Sequence, residues 1–290
     1  MQKIMRKLFY RFLILSKADY VVGFLGRRGF FSSLTERLAP PVYYYDKQDI
    51  RKIKILDVSF VVQMNDLMSQ PLFFGLYMDE ILCLKSHFPP NAVVIDVGAN
   101  IGRWSLLIAR LFKTQKVFSF EPFLKTYFYL AENISLNISL NIETFNLALN
   151  NKNEFVSMSS VNEMNSGMNF ISLAQTASAD QVQSVTLDDF LFKKMADKID
   201  VIKIDVEGFE MNVLQGAAQT IEKHHPVIIC EIDDQLLSKN NTTPQQIFDF
   251  FISHQYQVKR LPHMEDVLFL PSLDNIHFDI IALPYERSIS

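Results

Sequence analysis

The residues able to do chemistry gather in a few short stretches. In VVIDVGANIG, residues 93–102, an apolar run takes in Asp96, and Gly98 and Gly102 follow four residues apart. Gly98 allows a sharp backbone turn that a Cβ would obstruct. Gly102 lets the following helix approach the strand or a ligand, and the helix start offers N–H groups and the positive end of a dipole. A polar or anionic ligand is expected there. A dinucleotide site needs the spacing G-x-G-x-x-G to hold a pyrophosphate. The run Gly98-Ala99-Asn100-Ile101-Gly102 lacks that spacing, and Asp96 would repel a pyrophosphate. S-adenosylmethionine has no phosphate, and its ammonium and sulfonium make a nearby acid favourable. Glu121 closes the next apolar run, KVFSFEP, where a carboxylate accepts hydrogen bonds from both ribose hydroxyls.

The second cluster is KIDVEGFE. Lys203 and Asp205 are two apart in a strand and share a face. A lysine in an apolar strand is costly unless paired, so Lys203 is expected to meet Asp205 or Asp96. Glu207 lies in the following turn, and Glu210 suits the start of the next helix. Group transfer from such a sulfonium needs alignment and exclusion of water, and an acceptor that loses a proton benefits from a base. Asp205 is the first choice for a positioning or base role, Glu207 the next, with Lys203 as partner. No metal is assigned. As an alternative, Asp205, Glu207, Glu231 and Asp233 stand at two adjacent strand ends and are hard oxygen ligands of the kind that hold Mg²⁺. His224 and His225 follow a helix. His254, His263 and His277 fall in the C-terminal part, where one could overhang an acceptor pocket, although any single one is more often structural. Trp104 reads as core, and Tyr43-Tyr44-Tyr45 precedes the main domain.

Apolar strand runs that alternate with helical spacing position these residues. AVVIDV, KVFSFEP, IETFNLAL, DVIKIDV and VIICEI read as strands. Helices are expected over IGRWSLLIARLF, from Pro122 through LKTYFYLAENISLN, after Thr186 as N-cap, through EMNVLQGAAQTIEKHH, and from Pro244. Phe73 to His87 also has helical spacing. Residues 154–181 read as a short edge hairpin and a loop. YQVKRL and HFDIIALP suit a final antiparallel pair. The local N-I-S-L period of Asn133, Asn137 and Asn141 is too short to set architecture. Such alternation specifies a mainly parallel sheet with helices on both faces, and ligands bind beyond the carboxyl ends of its strands.

Composition bounds the partners. The 290 residues, 49% hydrophobic and 21% charged, can bury one sizeable core. A net charge of −4 argues against a nucleic-acid partner. Cys83 and Cys230 read as reduced thiols, which suits a cytoplasmic protein. Residues 1–28 hold Lys3, Arg6, Lys7, Arg11, Lys17, Arg27 and Arg28 among large apolar residues. Two readings apply: a helix packed on the domain with its charges in water, which is favoured, or a peripheral contact with anionic membrane. The expected organisation is an N-terminal extension, residues 1–72, serving as lid or interface, before a catalytic domain, residues 73–290. A homo-oligomer is a further possible partner state.

The pieces VVIDVGANIGRWSLLIA, VFSFEP, LAENISLN, NLAL, NSGMNF, VTLDDFL, DVIKIDVEGFEMNVLQGA and PVIICEI, in that order, resemble the FkbM family of S-adenosylmethionine-dependent methyltransferases over residues 73–233. The resemblance implies the Rossmann-like class I methyltransferase fold. It also implies O-methylation of a sugar, a glycan precursor or a natural-product metabolite. By position it places Asp96, Gly98, Ala99, Asn100 and Gly102 around the methionine part of the cofactor, Glu121 on the ribose and Ala148 near the adenine. The rivals are a nicotinamide-dependent oxidoreductase and a non-catalytic scaffold that binds the cofactor. The Ser159–Asp180 loop and the terminal regions are expected to select the acceptor.

Overall fold

The computed structural model describes residues 2–28, 32–76, 79–160, 165–166, 169–172, 180–267 and 275–285. The chain opens with helices α1 (Gln2–Leu15), α2 (Ala18–Arg27) and α3 (Ser32–Leu38). A hairpin follows, β1 (Ile50–Ile55) and β2 (Val58–Gln63), turning at Leu56 and Asp57, both at positive φ as a two-residue hairpin loop requires. The helix expected over residues 73–87 is instead two short ones, α4 (Gln70–Phe74) and α5 (Asp79–Leu82). Gly75, at φ 73°, ends the first of them in the left-handed region.

The main sheet begins with β3 (Val93–Val97), α6 (Arg103–Phe112), β4 (Lys116–Phe120), α7 (Leu124–Ser135) and β5 (Ile142–Phe145). The run expected as one third strand breaks after Phe145. Ala148–Leu149 becomes β6, in a second sheet with β7 (Glu154–Ser160), β8 (Asn169–Ser172) and β9 (Asp180–Val185), ordered β6-β9-β7-β8. The β7–β8 pair is antiparallel with β8 at the edge, as the expected edge hairpin requires, and β9 and β6 extend it into a sheet. Much of the expected acceptor loop, residues 161–164, 167–168 and 173–179, lies outside the described residues.

The chain then forms α8 (Leu187–Lys194), β10 (Val201–Ile204), α9 (Glu210–Gly216), α10 (Ala218–His224), β11 (Val227–Asp233), α11 (Asp234–Lys239), α12 (Pro244–Ser253), β12 (Tyr256–Arg260), β13 (Glu265–Asp266) and β14 (His277–Pro284). Thr186 caps α8 through the Asp189 N–H, and Thr243 with Gln246 forms a capping box on α12. The single helix expected after KIDVEGFE is two, broken at Ala217. Gly216 there lies against the Asn150 carbonyl, where a side chain would collide.

The eight main strands are ordered β13-β12-β14-β11-β10-β3-β4-β5. The five from β11 to β5 are parallel; β14 pairs antiparallel with β11 and β12 antiparallel with β14, the expected final antiparallel pair. Strand order reverses between β3 and β10, so a crevice opens beyond their carboxyl ends. Both faces are covered. Val93, Ile95, Val97, Ile202 and Ile204 pack under α8–α12. Val94 and Val201 share the opposite core with α6 and the β1–β2 hairpin. Residues on both sides of position 72 contribute to that second core, Phe60 and Phe73 beside Val94 and Leu107. No described helix is long and apolar enough to cross a membrane. Cys83 and Cys230 are not joined in a disulfide.

The N-I-S-L period proves architectural. Asn133 accepts from the Val61 N–H at 2.7 Å and donates to the Ile101 carbonyl at 2.8 Å. One turn on, Asn137 accepts from the Ser59 N–H at 2.9 Å and donates to the Ser59 carbonyl at 2.8 Å. Four residues of helix rise about 6 Å and two residues of strand nearly 7 Å, so the side chains of one match the backbone of the other. Replacing the fully buried Asn133 strands several polar groups. Asn133→Ala is expected to cost about 2–4 kcal/mol, read as a lower urea midpoint with an unchanged slope, while the exposed Asn141→Ala stays near wild type.

Candidate active site

Side-chain alternation decides where each acid points. On β3, Asp96 projects to the same side as Val94, towards α6. There it is fully buried and accepts from Ser105 Oγ at 2.5 Å, and Ser105 Oγ lies 2.7 Å from Ser119 Oγ on β4. Lys203 is in register with Asp96 on the neighbouring β10. Its Nζ lies 2.8 Å from Asp205 and 3.9 Å from Asp96, so it serves both expected carboxylates. Burial alone would lower the Lys203 pKa, but the charges of Asp205 and Asp96 raise it above the ordinary lysine range. Burial would raise Asp205, yet Lys203 holds its carboxyl below the usual value. Asp96 is shifted upward by burial, against the pull of Lys203 and Ser105.

The glycine turn has a different economy from the one expected. Gly98, at φ 80°, lies where a Cβ would overlap the Asp205 carbonyl, so the turns after β3 and β10 touch through bare backbone. The N–H groups of Gly98 and Ala99 both donate to the Phe120 carbonyl, at 3.0 and 2.9 Å. The Asn100 N–H donates to Glu121 at 3.0 Å, Ile101 to the Asn100 side chain, and Gly102 to the Ala99 carbonyl. Every amide from Gly98 to Gly102 is thus committed inside the protein, and no phosphate cradle is left. Gly102, at φ 87°, makes room for Leu130 of α7 rather than for a ligand.

Two cavities meet over these turns. The narrower is lined by Gly98, Asn100, Glu121, Ala148, Met158 and Val206, among others. Of the expected cofactor residues it therefore gathers Gly98, Asn100, Glu121 and Ala148. Asp96, Ala99 and Gly102 lie outside its lining, because the first points to α6 and the others turn into the fold. Ala148 keeps its expected place although it belongs to the second sheet. Glu121 takes one backbone N–H on each carboxylate oxygen, from Asn100 and Phe123. Burial pushes its carboxyl up to about 7 despite those bonds.

The wider cavity shares Met68, Asp205 and Glu207 with the first and adds Arg103, Glu231, Asp233 and His277. Asp205, Glu207 and Glu231 each bring one oxygen within 4.8 Å of the others. Burial and the surrounding acids raise Glu207 to about 9, and burial with Asp205 raises Glu231 to about 8. His277 Nε2 lies 3.1 Å from Glu231 and Nδ1 3.5 Å from Asp233. The Glu231 hydrogen bond raises the imidazole to about 9. His277 is thus the C-terminal histidine at the pocket, whereas His254 packs on Phe250. Glu210 takes the expected helix-start role, accepting from the Val206 and Gly208 N–H groups. Trp104 is buried core, as expected.

Asp66 escaped sequence reasoning. Its buried carboxylate accepts from the Ser69 N–H, the Ser166 N–H at 2.8 Å and Ser166 Oγ at 3.1 Å. Asn100 in turn donates to the Ser166 carbonyl at 3.0 Å. Asp66 thereby ties the NSGMNF stretch to the glycine turn at the narrower cavity. The only sequence signal was NSGMNF itself; nothing marked its partner a hundred residues earlier.

The strand order, with β14 inserted antiparallel between β11 and β12, is that of the class I methyltransferases. A model of the methyltransferase FkbM domain matches residues 96–258, more than half the sequence, and the chain belongs to that family. Among similar proteins, Methyltransferase 1 of Beauveria bassiana is 25% identical over 148 residues, covering 44% of this chain and 59% of that one. Methyltransferase sdnD of Sordaria araneosa is 24% identical over 190 residues, covering 55% and 72%. The crystal structure of Methyltransferase FkbM from Methylobacillus flagellatus KT aligns with a TM-score of 0.45 at 18% identity, over 67% of this chain and 44% of that one. The first of these proteins and the solved chain are thus each matched over less than two thirds of their length.

The ion-pair geometry makes a direct prediction. Lys203→Met leaves Asp96 and Asp205 beside an apolar side chain, at an expected cost of about 3–5 kcal/mol. Adding Asp96→Asn should recover part of that loss in chemical denaturation. Equal stability of wild type and Lys203→Met would show that the charges do not interact.

Proposed function

We propose that the protein is an S-adenosylmethionine-dependent methyltransferase acting on a hydroxyl of a sugar, glycan precursor or natural-product metabolite. The observation that carries this reading is the pair of cavities joined at Asp205 and Glu207, one with a ribose-competent carboxylate and the other with a proton-accepting cluster.

The narrower cavity fits the cofactor in kind. Glu121 has one lone pair left on each oxygen for a diol, and Phe120, Leu147, Leu149, Met158 and Val206 offer an apolar lining for an adenine ring. A turn with no uncommitted amide suits a ligand without phosphate. Bound there, S-adenosylmethionine would supply an electrophilic methyl group on its sulfonium. The chain's own work is to orient the acceptor and take its proton. Asp205, kept ionised by Lys203, is a weak base suited to holding a hydroxyl in line. Glu231, raised to about 8 and hydrogen-bonded to His277, is the stronger base once ionised, the form that prevails above about pH 8. Glu207, raised to about 9, holds its own proton at neutral pH and offers a donor. Mg²⁺ assistance is a second reading, favoured by the convergence of three carboxylate oxygens within 4.8 Å. Turnover that survives chelation would remove it.

Calorimetric titration tests the cofactor. S-adenosylmethionine and S-adenosylhomocysteine should bind, NAD should not, and Glu121→Ala should weaken binding roughly ten- to a hundredfold. The ionised Glu121 is the form that accepts the ribose hydroxyls. Affinity should therefore fall as pH drops below about 7 and level off above it, a dependence absent in Glu121→Gln. Binding of NAD alone would overturn the reading. Tight cofactor binding without turnover on a panel of hydroxylated compounds would favour the scaffold.

A further inference from the structure

The packed reading of residues 1–28 accounts for only one side of α1. Tyr10 and Leu13 are buried and Ile14 is half-buried, all on the side that meets the protein. Ile4, Met5, Leu8, Phe12 and Leu15 are 66%, 63%, 57%, 64% and 85% exposed. At 3.6 residues per turn these five fall within roughly 100° of the circumference, opposite the buried side. The helix is therefore apolar on two faces, and one faces water. Exposed Lys7 and Arg11 run along a rim of that stripe. α2 repeats the arrangement. Gly23 and Gly26 bring it against the backbone of Phe73 and Phe74, while Tyr20, Val21, Phe24 and Leu25 remain exposed.

We propose that the outer face of α1 and α2 docks the protein on an anionic lipid bilayer. Charge selects that occupant. Residues 1–28 carry seven Lys and Arg against one acid, in a chain whose net charge is −4. The one acid, Asp19, is fully buried on Arg51 and Tyr45 and does not offset the surface cations. Exposed Arg6, Lys7, Arg11, Lys17 and Arg28 thus stand among exposed Phe, Leu and Ile side chains, the composition of helices that lie in a headgroup layer. A second copy meeting this face about a two-fold axis would set cation against cation. An acidic remainder also turns this end towards an anionic surface. The inference is independent of the cofactor and the acceptor.

Vesicle sedimentation of the full chain tests it. Wild type should partition onto phosphatidylcholine vesicles containing phosphatidylglycerol at least about tenfold better than onto phosphatidylcholine alone, and less at high salt. Leu8→Glu/Phe12→Glu and Lys7→Glu/Arg11→Glu should each abolish the difference. All four side chains are exposed, so circular dichroism melts should match wild type. Failure to sediment with anionic vesicles, or sedimentation unaffected by either pair of substitutions, would overturn the proposal. A dimer in light scattering that Leu8→Glu/Phe12→Glu dissolves, without vesicle binding, would assign the face to a second copy.

Discussion

One buried cation holds the centre of this molecule together. Lys203 sits on β10 beside the strand-order reversal, between an acid on its own chain segment and one on β3. A charge in so dry a place is tolerable only with partners near it. Asp96 therefore cannot move towards a ligand, and Asp205 cannot readily take up a proton. The Ser105 and Ser119 hydroxyls carry the same polar track under α6 and across to β4. What the crevice presents to a ligand is consequently an Asp205 held ionised at its centre, with Glu121 on one side and Glu207 with Glu231 on the other.

The glycine turn belongs to the same constraint. Because the turns after β3 and β10 touch at Gly98 and the Asp205 carbonyl, the loop is tight enough to consume its own amides. Helix-start electrostatics then matter less to a ligand than the carboxylate next door. Glu121 both receives the Asn100 amide and lines the cavity, so the acid that would grip a ribose also sets the shape of the loop.

Much of the fold was legible because its signals are local. Continuous apolar runs marked the parallel strands, and Thr186 and Pro244 marked helix starts. The site was legible as a set of strand ends, and the pairing of Lys203 followed from the cost of an unpartnered charge. The failures are all of long range or of direction. Asp96 was expected at the ligand, but period-two alternation sends it to α6. Strands β6 and β9 join the β7–β8 hairpin in a second sheet whose pairing depends on partners that no short window contains. Asp66 meets Ser166 a hundred residues away. Asn133 and Asn137 seemed a chance repeat because the strand they serve lies over seventy residues earlier.

That strand has an unusual outer border. The N–H and carbonyl of Ser59 go to Asn137, those of Val61 to Asn133, and those of Gln63 to Ser69 Oγ. Side chains thus imitate the neighbouring strand that β2 lacks. An open border of this kind is a template on which another chain can add itself and begin to aggregate. Here every outward-facing rung from residue 59 to residue 63 is already taken, so this border of β2 offers no docking line to a stray strand. The asparagines therefore guard solubility as well as hold the hairpin to α7.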